Sequence, residues 1–253
     1  MKIASWNVNS IKVRLPQVLK WLKSADADVL AIQETKTLDE NFPKQEIESA
    51  GYKVVFSGQK TYNGVAIISK YPASDIVTEL GNFADPQRRV MFATIDKVRI
   101  MNVYVPNGSE IGSDKYKYKL KWLQYLTTDL KQNLAQYENV ILLGDFNIAP
   151  ADIDVYDPEV WHDRILCSEP ERAELSQIMA CGMTDTFREF AQEPKSFSWW
   201  DYRQAAFRRN MGLRIDLVLA SKNLGLISSS IDKKPRGWER PSDHTPVLAE
   251  FKI

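Results

Sequence analysis

The sequence predicts an α/β protein in which mixed sheets are covered by helices. Short apolar runs bounded by turn formers recur along the chain, as at Val29-Leu30-Ala31-Ile32, Val65-Ala66-Ile67-Ile68 and Val140-Ile141-Leu142-Leu143. Such runs read as strands buried on both faces. Helical spacing fills some of the gaps between them, most clearly over 114–136, where Leu120, Leu123, Leu126, Leu130 and Leu134 lie along one side. Elsewhere two runs are separated only by Asp96-Lys97, which predicts a tight antiparallel hairpin. Helical and hairpin connections together give sheets of mixed direction.

Taken in order, residues 2–7 form a first strand ending in Asn7-Val8-Asn9. Over 13–24, Val13, Leu15, Val18, Leu19 and Leu22 have helical spacing, with Pro16 read as a first-turn residue. The strand at 29–34 delivers Glu34 at its end; a short helix around 43–50 and strands at 52–57 and 64–69 follow. The hairpin arms are 89–95 and 98–105, the second ending at Tyr104-Val105-Pro106-Asn107-Gly108. After the long helix comes a strand at 139–146, closed by Gly144 and Pro150. In extended backbone Asp145 and Asn147 project to the same side; both residue types also satisfy turns. An acidic, irregular stretch with Asp152, Asp154, Asp157 and Glu159 leads to a helix at 170–181 and a basic loop at 201–212. Residues 213–221 form a strand carrying Asp216, and a last strand at 245–251 follows Ser242-Asp243-His244. No Gly/Ser/Pro linker divides the chain, so residues 1–253 are expected to form one domain.

At 253 residues, 44% hydrophobic and 26% charged, the chain can bury a sizeable core unaided. Lys plus Arg equals Asp plus Glu at 33 each, so a nucleic-acid surface would have to be a local basic face. Cys167 and Cys181 are the only cysteines and match no zinc spacing. With no signal-like start and no membrane-length apolar run, the chain is expected in the cytoplasm, a bacterial cytosol or nucleoid, without membrane partners.

One regularity points beyond folding: polar functional residues stand where apolar strands end. They are Asn7, Glu34, Tyr104, Asp145, Asn147, Asp216, Asp243 and His244. Turn formers explain Asn and Asp at strand ends, but not Glu, Tyr and His. Glu34, Asp145 and Asp243, with amide oxygens of Asn7, Asn9 and Asn147, offer hard oxygen ligands and no thiolate. That set suits Mg²⁺, with Mn²⁺ able to substitute, better than zinc.

Five segments resemble, in order, the motifs of the exonuclease III family of DNA-repair nucleases, within the endonuclease/exonuclease/phosphatase superfamily. They are Ile3-Ala4-Ser5-Trp6-Asn7-Val8-Asn9-Ser10, Ile32-Gln33-Glu34-Thr35-Lys36, Gly144-Asp145-Phe146-Asn147, Leu213-Arg214-Ile215-Asp216 and Arg240-Pro241-Ser242-Asp243-His244. Each is short; the ordered set spans nearly the whole chain. The resemblance implies a four-layer α/β sandwich, two mixed β-sheets face to face with helices outside. It also implies divalent-metal-dependent hydrolysis of DNA phosphodiesters by in-line attack of water, leaving a 3′-hydroxyl. The substrates implied are double-stranded DNA with abasic sites, cut on the 5′ side, or with damaged or recessed 3′ ends, acted on by a monomer.

The residue roles follow from the resemblance. Glu34 is the principal ligand of one or two ions, with Asn7 close by and Asp145, Asn147, Asp243 and His244 able to contribute. Asp216 orients His244, whose imidazolium stabilises the phosphorane. Asp145 activates the water, Asn147 holds it or a phosphate oxygen, and Tyr104 bonds the phosphate. Trp199 and Trp200, with Leu213 and Ile215, wall a pocket for a base-less sugar. Arg89, Asn107 and Arg203 bind substrate, and further positive charge comes from Arg88, Lys115, Lys117, Lys119, Lys121, Arg208 and Arg209. His162 is taken as a surface residue. Asn107 stands where some members carry Gln, and 156–168 departs from the best-known bacterial enzyme. One rival is a superfamily phosphatase of inositol phosphates or phospholipids, which would share the metal core but not the tryptophan segment. The other is a non-catalytic nucleic-acid-binding relative, which the intact set of catalytic residues speaks against.

Overall fold

Alternate residues of each central strand enter different cores, and that division sets the layering. The computed structural model describes residues 1–81 and 83–253. Its strands are β1 (Lys2–Asn7), β2 (Val29–Gln33), β3 (Lys53–Ser57), β4 (Val65–Ser69), β5 (Ala73–Val77), β6 (Val90–Ile95), β7 (Val98–Tyr104), β8 (Asn139–Asp145), β9 (Met183–Asp185), β10 (Asp216–Ser221), β11 (Gly225–Ile231) and β12 (Val247–Lys252). Its α-helices are α1 (Ile11–Ala25), α2 (Lys44–Ser49), α3 (Asp114–Gln136), α4 (Pro158–Trp161) and α5 (Glu169–Ala180). Two six-stranded sheets run in the orders β11-β12-β1-β2-β4-β3 and β5-β6-β7-β8-β10-β9. Ile3, Ala31, Ile67, Ile141, Leu143 and Val218 meet between the sheets. Val140 and Leu142 face the other way, toward Leu123, Leu126 and Leu130 of α3 and Ile178 of α5. Ala4, Trp6, Leu30 and Ile32 pack on Val18, Trp21 and Leu22 of α1. The result is the four-layer α/β sandwich. Among the described residues, no helix is long and apolar enough to cross a membrane.

Each sheet holds one parallel pair at its centre, β1 with β2 and β7 with β8, and each pair is joined through a helix, α1 or α3. The neighbours β12 and β10 run antiparallel to β1 and β8. The C-terminal ends of the parallel pairs and the N-terminal ends of β10 and β12 therefore lie along one edge. That edge collects Asn7, Glu34, Tyr104, Asp145, Asp216 and His244. Open α/β sheets place ligands at such an edge.

Three strands carry no apolar signal that marks them in the sequence. β5, β9 and β11 are edge strands; β5 and β11 are largely solvent-facing, and β9 is only three residues long. The first helix begins two residues earlier than its spacing predicts, which puts Pro16 in the second turn rather than the first. The strand expected from 213 starts at Asp216, because Leu213 instead makes isolated bridges to Val155 and Trp199. The hairpin turn at Asp96-Lys97 has φ of 44° and 69°, the left-handed pair that matches strand twist.

Gly144 shows why glycine precedes the aspartate. Its φ is 150°, and a Cβ built there would lie 1.9 Å from the Val103 carbonyl oxygen of the adjacent strand. Backbone cannot yield as a flexible side chain would. Gly144→Ala is expected to destabilise the protein by about 3 kcal/mol, seen as a fall in the urea midpoint. An unchanged midpoint would show that β7 and β8 can separate there.

Candidate active site

One half of the site edge is built from β1 and β2. After Gln33 the backbone turns left-handed at Glu34, with φ of 54°, and again at Lys36, with φ of 52°. The Glu34 carbonyl accepts from the Ser10 amide at 2.7 Å and Thr35 donates to Gly64 O at 3.1 Å, which holds this turn. The Glu34 Oε1 atom accepts from Asn7 Nδ2 at 2.8 Å and from the Tyr104 hydroxyl at 3.0 Å. Lys36 Nζ lies 2.7 Å from Glu34 Oε2 and also donates to Asn9 Oδ1 at 2.6 Å. Burial and the charges of Glu34 and Asp145 push the Tyr104 hydroxyl well above its ordinary pKa, so it stays a neutral donor.

The second half comes from β8, β10 and the segment before β12. Asp145 and Asp216 sit side by side in register. Asp145 Oδ2 accepts from Asn7 Nδ2 at 2.8 Å, and Oδ1 accepts from the Asn147 amide at 2.9 Å. Asn147 has φ of 49°, so the extended geometry expected at 145–147 is replaced by a turn around the carboxylate. Its Nδ2 donates to Val105 O at 3.1 Å, and its Oδ1 accepts from Asn107 Nδ2 at 3.1 Å. His244 Nδ1 lies 2.9 Å from Asp216 Oδ2, and its Nε2 lies 3.7 Å from Asp145 Oδ2. Ser198 Oγ donates to the same Asp216 oxygen at 2.6 Å and accepts from the Ile215 and Asp216 amides.

These contacts set the charges. Burial opposes a cation at His244, but Asp216 and Asp145 outweigh it and raise the ring to about 10, so an imidazolium persists at neutral pH. Burial is the main cause lifting Asp145 to about 7; His244 and Asn7 work against it, while Asp216 and Glu34 add to it. Desolvation pushes the half-buried Asp243 up, yet His244 and the bonds from Asn9 and Trp199 hold its carboxyl below the ordinary range. Glu34, Asp145 and His244 offer ligand atoms within 4.8 Å of one another. Of these three, the Glu34 and Asp145 carboxylates are the hard oxygen donors that could hold a divalent cation, since a protonated ring has no lone pair to offer.

Residues 4–244 match the endonuclease/exonuclease/phosphatase family. The chain belongs to that family. It is 33% identical to exodeoxyribonuclease III of Haemophilus influenzae, over 100% of both chains. Its fold is similar to that of a 3′ phosphatase from Neisseria solved with a product DNA hairpin, with a TM-score of 0.98 and 45% identity over 100% of both chains. It is also similar to an AP endonuclease from Archaeoglobus fulgidus, with a TM-score of 0.96 and 37% identity over 100% of both chains.

Several expected positions of this family member are placed differently from the sequence reading. Asn7 turns its amide nitrogen toward Glu34 and Asp145, while its Oδ1 accepts from the Asn9 amide at 3.0 Å, so it presents a donor rather than a ligand oxygen. Both Asp243 oxygens are engaged, by Asn9 Nδ2 at 2.9 Å and Trp199 Nε1 at 3.0 Å. Trp200 is fully buried against Phe207, and Leu213 and Ile215 are buried behind half-buried Trp199, so these three reach no open surface. Arg203 is exposed and paired with Asp201 at 2.7 Å. Lys119, grouped with the surface lysines of its helix, is completely buried.

Two hollows flank the site. One, of about 510 Å³, is lined by Glu34, Lys36, Tyr62, Arg89, Tyr104 and Asn107. Arg89 lies over the Tyr104 ring at 4.6 Å and donates to Tyr104 O at 3.1 Å. The other, of about 290 Å³, has Tyr156, Trp161, Trp199 and Arg203 on its walls. Sequence reasoning missed Lys36 and Ser198. Lys36 lies inside a quoted motif, and its position two residues after Glu34 was the available signal; a lone serine before two tryptophans gives none.

Proposed function

We propose that the chain is a divalent-metal-dependent DNA-repair phosphodiesterase working chiefly at 3′ ends, where it removes phosphates, other blocking groups or nucleotides. The observation that carries this is the pairing of Asp145, poised near neutrality, with an Asp216-held imidazolium 3.7 Å away. Asp145 takes the proton of the attacking water, and Asn147 orients that water or a phosphate oxygen. His244 and the Tyr104 hydroxyl stabilise the charge that builds on phosphorus. A cation held by Glu34 and Asp145 would neutralise the phosphate and the leaving oxygen. The donor set fits Mg²⁺ or Mn²⁺, being carboxylate rather than thiolate. A protonated ring has no lone pair to give, so His244 is assigned to charge stabilisation rather than ligation.

The preference for 3′ ends rests on the apolar cluster behind Trp199. Val155, Leu166, Leu213 and Ile215 fill it with the chain's own side chains, and a base-less sugar would have to displace them. The similarity to a 3′ phosphatase supports the same preference. The hollow beside Trp199 and the similarity to an AP endonuclease favour cleavage 5′ to abasic sites as a second reading. Site residues come from both sheets of one chain, which supports a single catalytic domain acting as a monomer. Free Cys167 and Cys181 are compatible with a cytoplasmic setting.

Three end-labelled duplexes test the reading: a 3′-phosphate, a 3′-recessed end and an internal abasic site, each with Mg²⁺ and with chelator. The expected order of rates is 3′-phosphate first and abasic site last, with no product in chelator. Abasic cleavage outrunning 3′-phosphate removal would favour the second reading, and activity in chelator would remove the metal.

A further inference from the structure

We infer that Lys119 is a positioning residue, whose buried ammonium fixes the main chain of Asn147 and Asn107 and ties both to the end of the 151–168 loop. The role rests on the phosphodiesterase reading above. Lys119 has no exposed surface, and its Nζ uses all three donors. One goes to Asn147 O at 2.7 Å, one to Asn107 O at 3.1 Å and one to the Glu171 carboxylate.

Glu171, equally buried, accepts in addition from the Leu166 amide at 3.1 Å, the Ser168 amide at 3.1 Å and Ser168 Oγ at 2.6 Å. One ion pair thus joins the turn after β8, the rim of the larger hollow and the apolar cluster behind Trp199.

A pair of charges placed here is costly to desolvate, and an apolar pair would fill the space at less cost. The carbonyls explain what the charge does. Asn147 leaves β8 in a left-handed turn, so its carbonyl has no strand partner and must be satisfied from elsewhere. The Asn147 amide in turn bonds Asp145 Oδ1, and the Asn147 side chain bonds that of Asn107. Moving the Lys119 ammonium would therefore move the groups that orient the water. The neighbours Lys115, Lys117 and Lys121 are exposed and have no such partners in the site. Lys119 is singled out by helical spacing, since Tyr116 and Leu123 share its buried face.

The test uses Lys119→Met, Glu171→Gln and, as a surface control on the same helix, exposed Lys131→Met. Turnover on the 3′-phosphate duplex is measured below each variant's melting temperature, beside NMR spectra of the Asn side-chain amides. Lys119→Met is expected to lower kcat about 10- to 100-fold, the scale of a small misplacement of reacting groups. Its KM should stay within about twofold, and the Asn107 and Asn147 resonances should shift or broaden.

Glu171→Gln keeps the Lys119 donors on both carbonyls, so its kcat is expected within about threefold of wild type even if its melting temperature falls. A purely structural ion pair would lower both melting temperatures and leave kcat and the Asn resonances of both variants unchanged, which overturns the proposal. If wild type itself removes no 3′ phosphate, the functional reading fails, while the Asn resonances still decide whether Lys119 holds them.

Discussion

Asp145→Asn is expected to lower turnover by about 10²- to 10⁴-fold, the range for a positioned proton acceptor, while DNA still binds. The substitution preserves shape and keeps one of the two oxygens, which accept separately from Asn7 and Asn147, but it removes the group proposed to take the proton from water. Single-turnover kinetics on a 3′-phosphate duplex, with binding measured separately, checks it. Turnover within threefold of wild type, on the scale set by that range, would sink the assignment.

The pH profile gives the same assignment a second test. Only the ionised carboxylate accepts a proton, so wild-type turnover rises with pH as Asp145 deprotonates near about 7. It falls again as His244 loses its proton near about 10. The groups lie 3.7 Å apart, so both limbs belong to the pair. A bound divalent cation stabilises the carboxylate and moves the rising limb to lower pH. In Asp145→Asn the rising limb should vanish.

Stability moves the other way. A carboxyl raised from 3.8 to about 7 on folding leaves the folded state holding a proton that the unfolded state releases. Folding stability from this group therefore declines as pH rises between those values. At pH 8 the variant should melt no lower than wild type.

His244→Gln should cost about 10²- to 10³-fold in turnover, the scale for losing one preorganised stabiliser of transition-state charge. It also strands the Asp216 carboxylate, which is 1% exposed and keeps only hydrogen-bond donors such as Ser198 Oγ. A buried charge without its partner is costly, so this variant should melt well below wild type. The double variant His244→Gln/Asp216→Asn removes that charge. It should regain most of the lost melting temperature and none of the turnover. Recovery of both would mean the ring is only a structural counter-ion; thermal melting and single-turnover rates on the same preparations separate the outcomes.

The legible parts of the molecule are those where one residue type has one use. Val140–Leu143 could only be a strand buried on both faces, and it is. The 114–136 helix emerges with the predicted ends because its leucine row is long and Ser113 caps it. Edge strands β5 and β11 were invisible because a strand with one solvent-facing side and an unpaired edge needs little apolar patterning. Lys119 was misread for a related reason: among alternating lysines and tyrosines, only the helix phase against α5 decides which lysine points inward. Trp200 illustrates the same limit, since adjacent tryptophans share a motif but face opposite ways along extended backbone.

By itself, the sequence determined the strands that carry the chemistry and the residue types standing at their ends, because burial on both faces and placement at a strand end are local properties. Tertiary structure decided how those ends combine. The antiparallel register sets Asp216 beside Asp145, and Asn7 bridges Glu34 of one sheet to Asp145 of the other. That proximity raises Asp145 and His244 together, and a pKa shift of this kind depends on distances and burial, which residues far apart in the chain acquire only when the two sheets close on each other.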